Sequence, residues 1–435
     1  MVDSAIASGT AGRRSVFEVF ARRLPGERRY GVVAGTGRVI EAVRDFRFGP
    51  EEIAYLESAG IVSERTLEWM EGYRFTGDVY GYAEGECYFP HSPVLTVLGT
   101  FAEACVLETV ILSILNHDSA VATAASRMTA AAHRRPCVEF GARRTHEVAA
   151  VHSARAAVIA GFEATSDLEA GRRYGLRITG TSAHSFTLVH DGEEEAFAAQ
   201  IATMGPGTTL LVDTYDIPRG VERAVAAARA AGGELGAVRL DSGDLIAQAF
   251  TVRRQLDDLG ATSTKITVTS DLDEYAIAAL GAAPVDAYGV GTQLVTGSGH
   301  PTAEMVYKLV QREGADGRMH EVAKASQNKK SAGGLKVAGR VRDERGHSAQ
   351  ELVVSAGSWQ EGLDYLERAG ARPLQVKLID GGQVDEPYIG ERAIAAAAEC
   401  HARSRAELPY DGWRLSRGEP AVPTKTVDIF EGDDV

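Results

Sequence analysis

The stretch Ala237-Val238-Arg239-Leu240-Asp241-Ser242-Gly243-Asp244-Leu245 decides how this chain is read. A short apolar run of strand character stops at a turn of aspartate, serine and glycine, and a helical pattern takes over at Leu245. The same punctuation recurs on both sides. Residues 137–140, 176–178, 209–212, 266–269 and 287–290 are short β-rich runs, each closed by a polar or glycine-rich turn and followed by a helical pattern. Strand, turn and helix in repetition mark a parallel sheet. Six such units favour an irregular α/β barrel over an open sheet, and in either arrangement the chemistry belongs at the C-terminal ends of the strands.

Outside this region the texture is mixed. Val16-Phe17-Glu18-Val19-Phe20 alternates like a strand, and residues 50–59 read as a short helix with an acidic start. Tyr73-Arg74-Phe75 and Glu86-Cys87-Tyr88-Phe89 are expected as antiparallel strands. Residues 101–133 are rich in alanine and leucine, the pattern of one or two long buried helices that connect or brace domains. Glu103 and Glu108 interrupt the most apolar part, which argues against a membrane span.

The 435 residues suffice for two domains, and 44% hydrophobic with 24% charged residues is an ordinary globular composition. The formal charge of −14 does not attract nucleic acid or anionic membranes over the whole surface, so cations for an anionic substrate must be gathered in a pocket. Cys87, Cys105, Cys137 and Cys400 lie far apart with no C-x-x-C pair, which argues against a zinc site or a disulfide framework and fits a reducing cytosol. Met1-Val2-Asp3-Ser4 has neither the basic start nor the apolar run of a signal peptide, so a cytoplasmic location is expected.

The chemistry concentrates at the strand ends. Glu139-Phe140-Gly141-Ala142-Arg143-Arg144 joins a ring able to stack on a flat heterocycle to two guanidiniums able to grip phosphate. Gly180-Thr181-Ser182-Ala183-His184-Ser185-Phe186 sets a histidine among small residues, with room for a ligand. Asp241 and, one strand later, Asp271 in Thr269-Ser270-Asp271-Leu272-Asp273 can accept from ribose hydroxyls or hold Mg²⁺ through water. For Asp241 a plain helix N-cap is the alternative. Tyr288-Gly289-Val290-Gly291-Thr292-Gln293 exposes backbone N–H groups suited to a phosphate. Beyond it, Lys324, Lys329, Lys330 and Lys336 form a cluster that could serve anions. Gly35-Thr36-Gly37 lacks the third glycine of a dinucleotide fingerprint, and Asp45 comes too early for its ribose acid, so that reading is set aside.

Taken in order and spacing, these elements resemble the nicotinate phosphoribosyltransferase family. The matching pieces include Ser15-Val16-Phe17-Glu18, Phe46-Arg47-Phe48, residues 139–143 and 180–186, Asp213-Thr214-Tyr215-Asp216, residues 239–245 and 270–275, residues 289–292 and Tyr307-Lys308-Leu309. The resemblance implies a type II phosphoribosyltransferase fold, an irregular α/β barrel packed with a mixed α+β sandwich. The implied division is an N-terminal sandwich domain at 1–133, a barrel at 134–340 and a C-terminal segment, 341–435, returning to the first domain.

It also implies a homodimer whose active sites are shared across the interface. The substrates it implies are nicotinate, 5-phosphoribosyl 1-pyrophosphate and ATP, with Mg²⁺ as cofactor and no metal ligand of the protein's own. By position, Phe140 is similar to the ring that stacks on the pyridine, and Arg143 and Arg239 to the guanidiniums that hold phosphate and ribosyl groups. Asp241 is similar to the acid that orients the ribose hydroxyls. Gly289, Gly291 and Thr292 resemble the 5′-phosphate cradle, with Thr181 and Asp271 as further substrate contacts. His184 is similar to the histidine that ATP phosphorylates, and Ser185 to a contact of the nicotinate carboxylate.

Two departures from the family pattern stand out. The family opens with a T-D-x-Y-x-x-T-M element, of which this sequence has only the final methionine, as Met1; its absent tyrosine would stack on the partner subunit's nicotinate. The family's G-T-S-N turn reads Ala164-Thr165-Ser166-Asp167, and a carboxylate near an anionic substrate is unhelpful unless it faces away. Asp167 keeps a nicotinamide phosphoribosyltransferase as the nearest rival, and the shortened start keeps a catalytically impaired relative that only binds phosphoribosyl ligands.

Overall fold

The structure, a computed structural model, describes residues 1–323, 333–384 and 386–429. The chain forms two compact units. One comprises residues 1–123 and 300–435, the other residues 124–299.

In the second unit, six short strands form one sheet, in the order Ala164–Thr165, Cys137–Glu139, Ala287–Val290, Lys265–Val268, Ala237–Leu240, Thr209–Leu211, and every pairing is parallel. A further parallel bridge, Thr165 to Ile178, extends it by one rung. Each strand is followed by a helix, from Glu147–Ile159 after the first in sequence to Thr292–Val295 after the last. The helix Ile217–Ala230 shows why such segments cover the sheet: it buries Val221, Ala224, Val225 and Ala228, one stripe at helical spacing. Aspartates fix where the helices begin. Asp167, Asp216, Asp244 and Asp273 each accept a backbone N–H as N-cap of the helix that follows. These connections turn the strand ends, and the residues just beyond them, toward one common rim.

The other unit is built around a seven-stranded antiparallel sheet ordered Met319–Glu321, Met305–Glu313, Arg14–Ala21, Leu95–Thr100, Asp78–Tyr82, Gln375–Asp380, Gln383–Val384. A four-stranded sheet of Arg372–Pro373, Leu335–Arg342, Ser348–Ala356 and Thr424–Asp428 shares its core. Val19, Val79, Val97 and Leu378 of the larger sheet and Ala338 and Val353 of the smaller are all fully buried in one cluster, the interior of a sandwich. At its edge, Arg340 is wholly buried and donates to Glu86, Glu351 and the Cys87 carbonyl, so charges from three chain segments neutralise one another.

Several expectations change here. Residues 300–323 and 333–340 belong with the sandwich and not with the barrel, because Met305–Glu313 pairs along Arg14–Ala21. The N-terminal boundary falls at 123, inside the helix Glu108–Ala131. Tyr73-Arg74-Phe75 is not a strand: Tyr73 is buried by edge-on contacts with Phe46, Phe48 and Trp69, and its hydroxyl donates to the Glu103 carbonyl. The 176–178 run shrinks to the single bridge at Ile178, and Ala164–Thr165 is a strand where the sequence predicts a turn.

Residues 101–131 are long and apolar enough in composition to cross a membrane. They break into Phe101–Cys105 and Glu108–Ala131, however, and Leu107, Ile111 and Leu115 lie in the sandwich core. Lys324, Lys329 and Lys330 lie outside the described residues. Lys336 serves no anionic ligand, being buried in an ion pair with Glu18 at 2.8 Å. At Gly35-Thr36-Gly37, the carboxylate of Glu84 takes the N–H groups of Gly35 and Gly37, so the place a phosphate would need is filled from within.

Candidate active site

A cavity of about 630 Å³ opens at the C-terminal ends of the barrel strands. Its walls are residues at or just beyond those strand ends: Phe140, residues 142–144, Ser166, the segment 180–183, Arg239 with Asp241, Thr269 to Asp271, and Gly289 with Gly291 and Thr292. Phe140, Arg143, Thr181, Arg239, Asp241, Asp271, Gly289, Gly291 and Thr292, nine residues far apart in sequence, therefore converge on one space.

The geometry assigns different work to the cations. Arg143 and Arg144 are exposed where they line the cavity, and among the described residues no side chain competes with an anionic ligand for their donors. Arg239 is engaged inward. It donates from Nε to Thr269 Oγ1 at 2.8 Å, from Nη1 to Thr181 Oγ1 at 2.6 Å and from Nη2 to Asp241 Oδ1 at 3.0 Å. Its guanidinium also lies 5.6 Å from the centre of the Phe140 ring. Three of its N–H groups hold the floor together, leaving two for a ligand. Asp241 does not cap a helix, since Asp244 does that, and Thr269 donates to the same Asp241 oxygen that Arg239 holds.

Glycines make room for the ring. A Cβ on Gly289 would sit 2.7 Å from Phe140 Cδ2, so only glycine lets Phe140 lie flat over that strand. Below, Glu139 is fully buried and accepts from the Gly141 N–H and from Thr165 Oγ1. Burial pushes its carboxyl above the usual carboxylate range, and those two hydrogen bonds oppose the push only in part. Ser270, at φ 138°, lines the cavity in a backbone region that L-residues rarely adopt, a strain of the kind that collects at ligand sites.

His184 begins a short helix at the rim. Its Nδ1 lies 3.1 Å from Thr214 Oγ1, and Nε2 lies 3.8 Å from Asp213 Oδ1 and 4.0 Å from Asp241 Oδ2. Asp213 Oδ2 accepts from the Asp241 N–H and Ser242 Oγ, while its buried Oδ1, without a hydrogen-bond partner among the described residues, is turned to the imidazole. A positive charge on this ring would meet two carboxylates.

Comparison with known proteins closes the question of kinship. A family model described as the nicotinate phosphoribosyltransferase N-terminal domain matches residues 1–116. A nicotinate phosphoribosyltransferase of Mycobacterium tuberculosis is 51% identical, over 98% of this chain and 93% of its own length. This chain belongs to the nicotinate phosphoribosyltransferase family. A family member from Bacillus subtilis is 37% identical over 80% of this chain and 73% of its own. The crystal structure of human nicotinic acid phosphoribosyltransferase has a TM-score of 0.81 at 22% identity, covering 98% of this chain and 96% of that one. A nicotinate-nucleotide pyrophosphorylase from Pyrococcus furiosus scores 0.74 at 24% identity, with 93% coverage on each side. These two likenesses bear on the fold alone, an irregular α/β barrel with a sheet domain.

Some residues fall otherwise than the family resemblance leads one to expect. Ser185 is exposed on the rim helix and is not among the residues lining the cavity, whereas Ser166 and Ser182 are. Asp167 also stays out: its carboxylate accepts the Ala170 N–H at 3.0 Å and caps the helix Leu168–Tyr174. Asp213, Ser166, Ser182 and Thr269 were missed as site residues. The available signal was position alone, each being the polar residue at or just after a strand or bridge.

For Mg²⁺, the cavity offers the carboxylates of Asp241 and Asp271, and among the described residues no three His, Cys, Asp or Glu side chains converge on a metal position. That donor set fits an ion bringing its own waters and diphosphate oxygens and touching one or two carboxylates.

Proposed function

We propose that this chain transfers the phosphoribosyl group of 5-phosphoribosyl 1-pyrophosphate to the ring nitrogen of nicotinate, giving nicotinate mononucleotide and pyrophosphate. The observation that carries the reading is the convergence, in one cavity, of an aromatic ring, exposed guanidiniums, the carboxylate of Asp241 and the glycines 289 and 291. The pyridine nitrogen donates its lone pair to the anomeric carbon as the bond to pyrophosphate breaks, and the leaving group departs with the electron pair. No proton need be removed, so the residues act by holding and by compensating charge.

In this reading Phe140 stacks on the pyridine, while Arg143 and Arg144 meet phosphate oxygens. Asp241, held by Arg239 and Thr269, accepts from the ribose hydroxyls, and the N–H groups around Gly289, Gly291 and Thr292 receive the 5′-phosphate. Asp271 and Thr181, which line the same cavity, serve as further substrate contacts. Mg²⁺, held by the pyrophosphate with Asp241 and Asp271 near, would offset the charge of the leaving group.

His184 is the proposed phosphoryl acceptor from ATP. As a ring nitrogen bonds to the γ-phosphorus and ADP leaves, the ring gains positive charge that Asp213 and Asp241 stabilise. Hydrolysis of this phosphohistidine would couple ATP to synthesis, which is the basis for a ligase-type classification. A homodimer with shared sites belongs to the same reading and is supported by Leu188, Val189 and Tyr215, left exposed close in sequence to His184 and Asp213. Four free cysteines accord with a cytoplasmic setting.

The capping role of Asp167 favours nicotinate over nicotinamide, because its carboxylate is spent on the helix and does not line the cavity. Product formation from each base, with and without ATP, tests the reading. Mononucleotide from nicotinamide but not from nicotinate would overturn it in favour of the rival enzyme, and product from neither base would leave a binding relative.

A further inference from the structure

Glu139 is the last residue of its strand and pairs in register with Thr165 on one side and Val290 on the other. A carboxylate at this depth, 0% exposed, is costly unless its oxygens are satisfied. Its hydrogen-bonding partners are neutral: the Gly141 N–H on Oε1 and the Thr165 hydroxyl on Oε2, the latter at 2.5 Å. The Thr165 hydroxyl in turn accepts the Asp167 N–H at 2.9 Å, and the Glu139 carbonyl accepts the Ser166 N–H at 3.0 Å. A single chain of hydrogen bonds thus runs from the turn after one strand, through Glu139, to the turn after its neighbour.

Those two turns carry what faces the ligand. One presents Phe140 and Arg143, the other Ser166. Gly141 is confined as well: a Cβ there would lie 2.9 Å from Glu139 Oε1 and 3.1 Å from the Gly291 carbonyl. A charge-assisted acceptor is stronger than a neutral one, which suits a group that must hold two irregular backbones at a set separation without touching the ligand.

We infer that Glu139 is a positioning residue, whose carboxylate fixes the spacing between the Phe140 turn and the Ser166 turn and so sets recognition of the flat aromatic acid. The inference rests on the proposed function, since it takes the base to lie between those turns. Glu139 does not contact substrate, and it acts through Phe140 and Ser166.

The test is steady-state kinetics of Glu139→Gln, Thr165→Val and Thr165→Ser in the full-length protein, with melting temperature measured alongside. Glutamine keeps an acceptor for Gly141 but presents an amide to a hydroxyl that needs an acceptor. Glu139→Gln and Thr165→Val are each expected to raise the KM for nicotinate roughly fivefold to twentyfold, with kcat within about twofold and the KM for phosphoribosyl pyrophosphate nearly unchanged. Thr165→Ser, which keeps the hydroxyl, should restore the native KM. The double variant Glu139→Gln/Thr165→Val should be no worse than the poorer single, because both break one chain of bonds. Native nicotinate KM in both singles, or a loss confined to kcat, would overturn the inference. Should Glu139→Gln fail to fold, the Thr165 pair decides on the same criteria. Failure of the wild-type protein to use nicotinate would instead defeat the proposed function, an outcome read before any variant is compared.

Discussion

Replacing Arg239 with alanine removes three hydrogen bonds at once and strands a carboxylate. In the native site the guanidinium reaches Thr269, Thr181 and Asp241 at 2.6–3.0 Å and is only 11% exposed. Thr181 and Thr269 both line the cavity, so water entering the space left by the guanidinium can replace its donors, and each lost bond costs about 1 kcal/mol. Asp241 keeps 28% exposure, which moderates the penalty for unpairing it to about 1–2 kcal/mol, below the range for a fully buried pair. The sum, about 3–4 kcal/mol, corresponds to a fall in Tm of roughly 6–16 °C for a unit of this size. Calorimetry on the purified variant measures it. The KM for phosphoribosyl pyrophosphate should rise in parallel, since Asp241 loses its orientation. Arg239→Lys should recover little of either, because one ammonium cannot span three acceptors on separate loops. A variant that melts like the wild type and loses only substrate affinity would refute the reasoning and make Arg239 a free phosphate grip.

Arg143→Ala makes the contrasting case: with its guanidinium exposed, Tm should hold within about 2 °C while the KM for phosphoribosyl pyrophosphate rises roughly tenfold to a hundredfold. His184→Ala should abolish acid-labile, base-stable labelling from γ-labelled ATP yet leave slow ATP-independent synthesis, and Asp213→Asn should slow labelling about tenfold without changing nicotinate KM. Asp167→Asn should leave the preference for nicotinate over nicotinamide unchanged in competition assays, because asparagine caps a helix nearly as well. A gain of nicotinate affinity in that variant would put the Asp167 carboxylate in the site after all.

The barrel was legible because its strands are apolar runs closed by glycine, serine or aspartate, as at Val238 to Gly243, and those closing residues are the ones that build the cavity. Ala164–Thr165 escaped because two residues carry no periodicity. The domain boundary escaped for a different reason. Met305–Glu313 reads like any half-buried strand, and nothing local says that Arg312 pairs with Ser15. Within the site, Phe140, Asp241 and the 289–292 glycines could be placed from their turns. The engagement of Arg239 could not, since Thr181 and Thr269 lie 58 and 30 residues from it and meet it only when the sheet is assembled. Asp213 stood in plain view at a strand end, but its significance comes from facing His184, which is a tertiary fact.

The sandwich is made from both ends of the chain, and this orders events during synthesis. The strand Arg14–Ala21 emerges early, with Leu95–Thr100 to cover one edge, but its other partner is Met305–Glu313. At roughly 5–20 residues per second, that edge waits about 15–60 s for its mate. The barrel, residues 124–299, is meanwhile complete and free to fold. Glu86 must wait longer still, for Arg340 and Arg372 to neutralise it. A ribosome stalled after the barrel has emerged but before Met305–Glu313 has would therefore hold a chain whose N-terminal sheet has one raw edge and an unpaired acid, a natural substrate for chaperones.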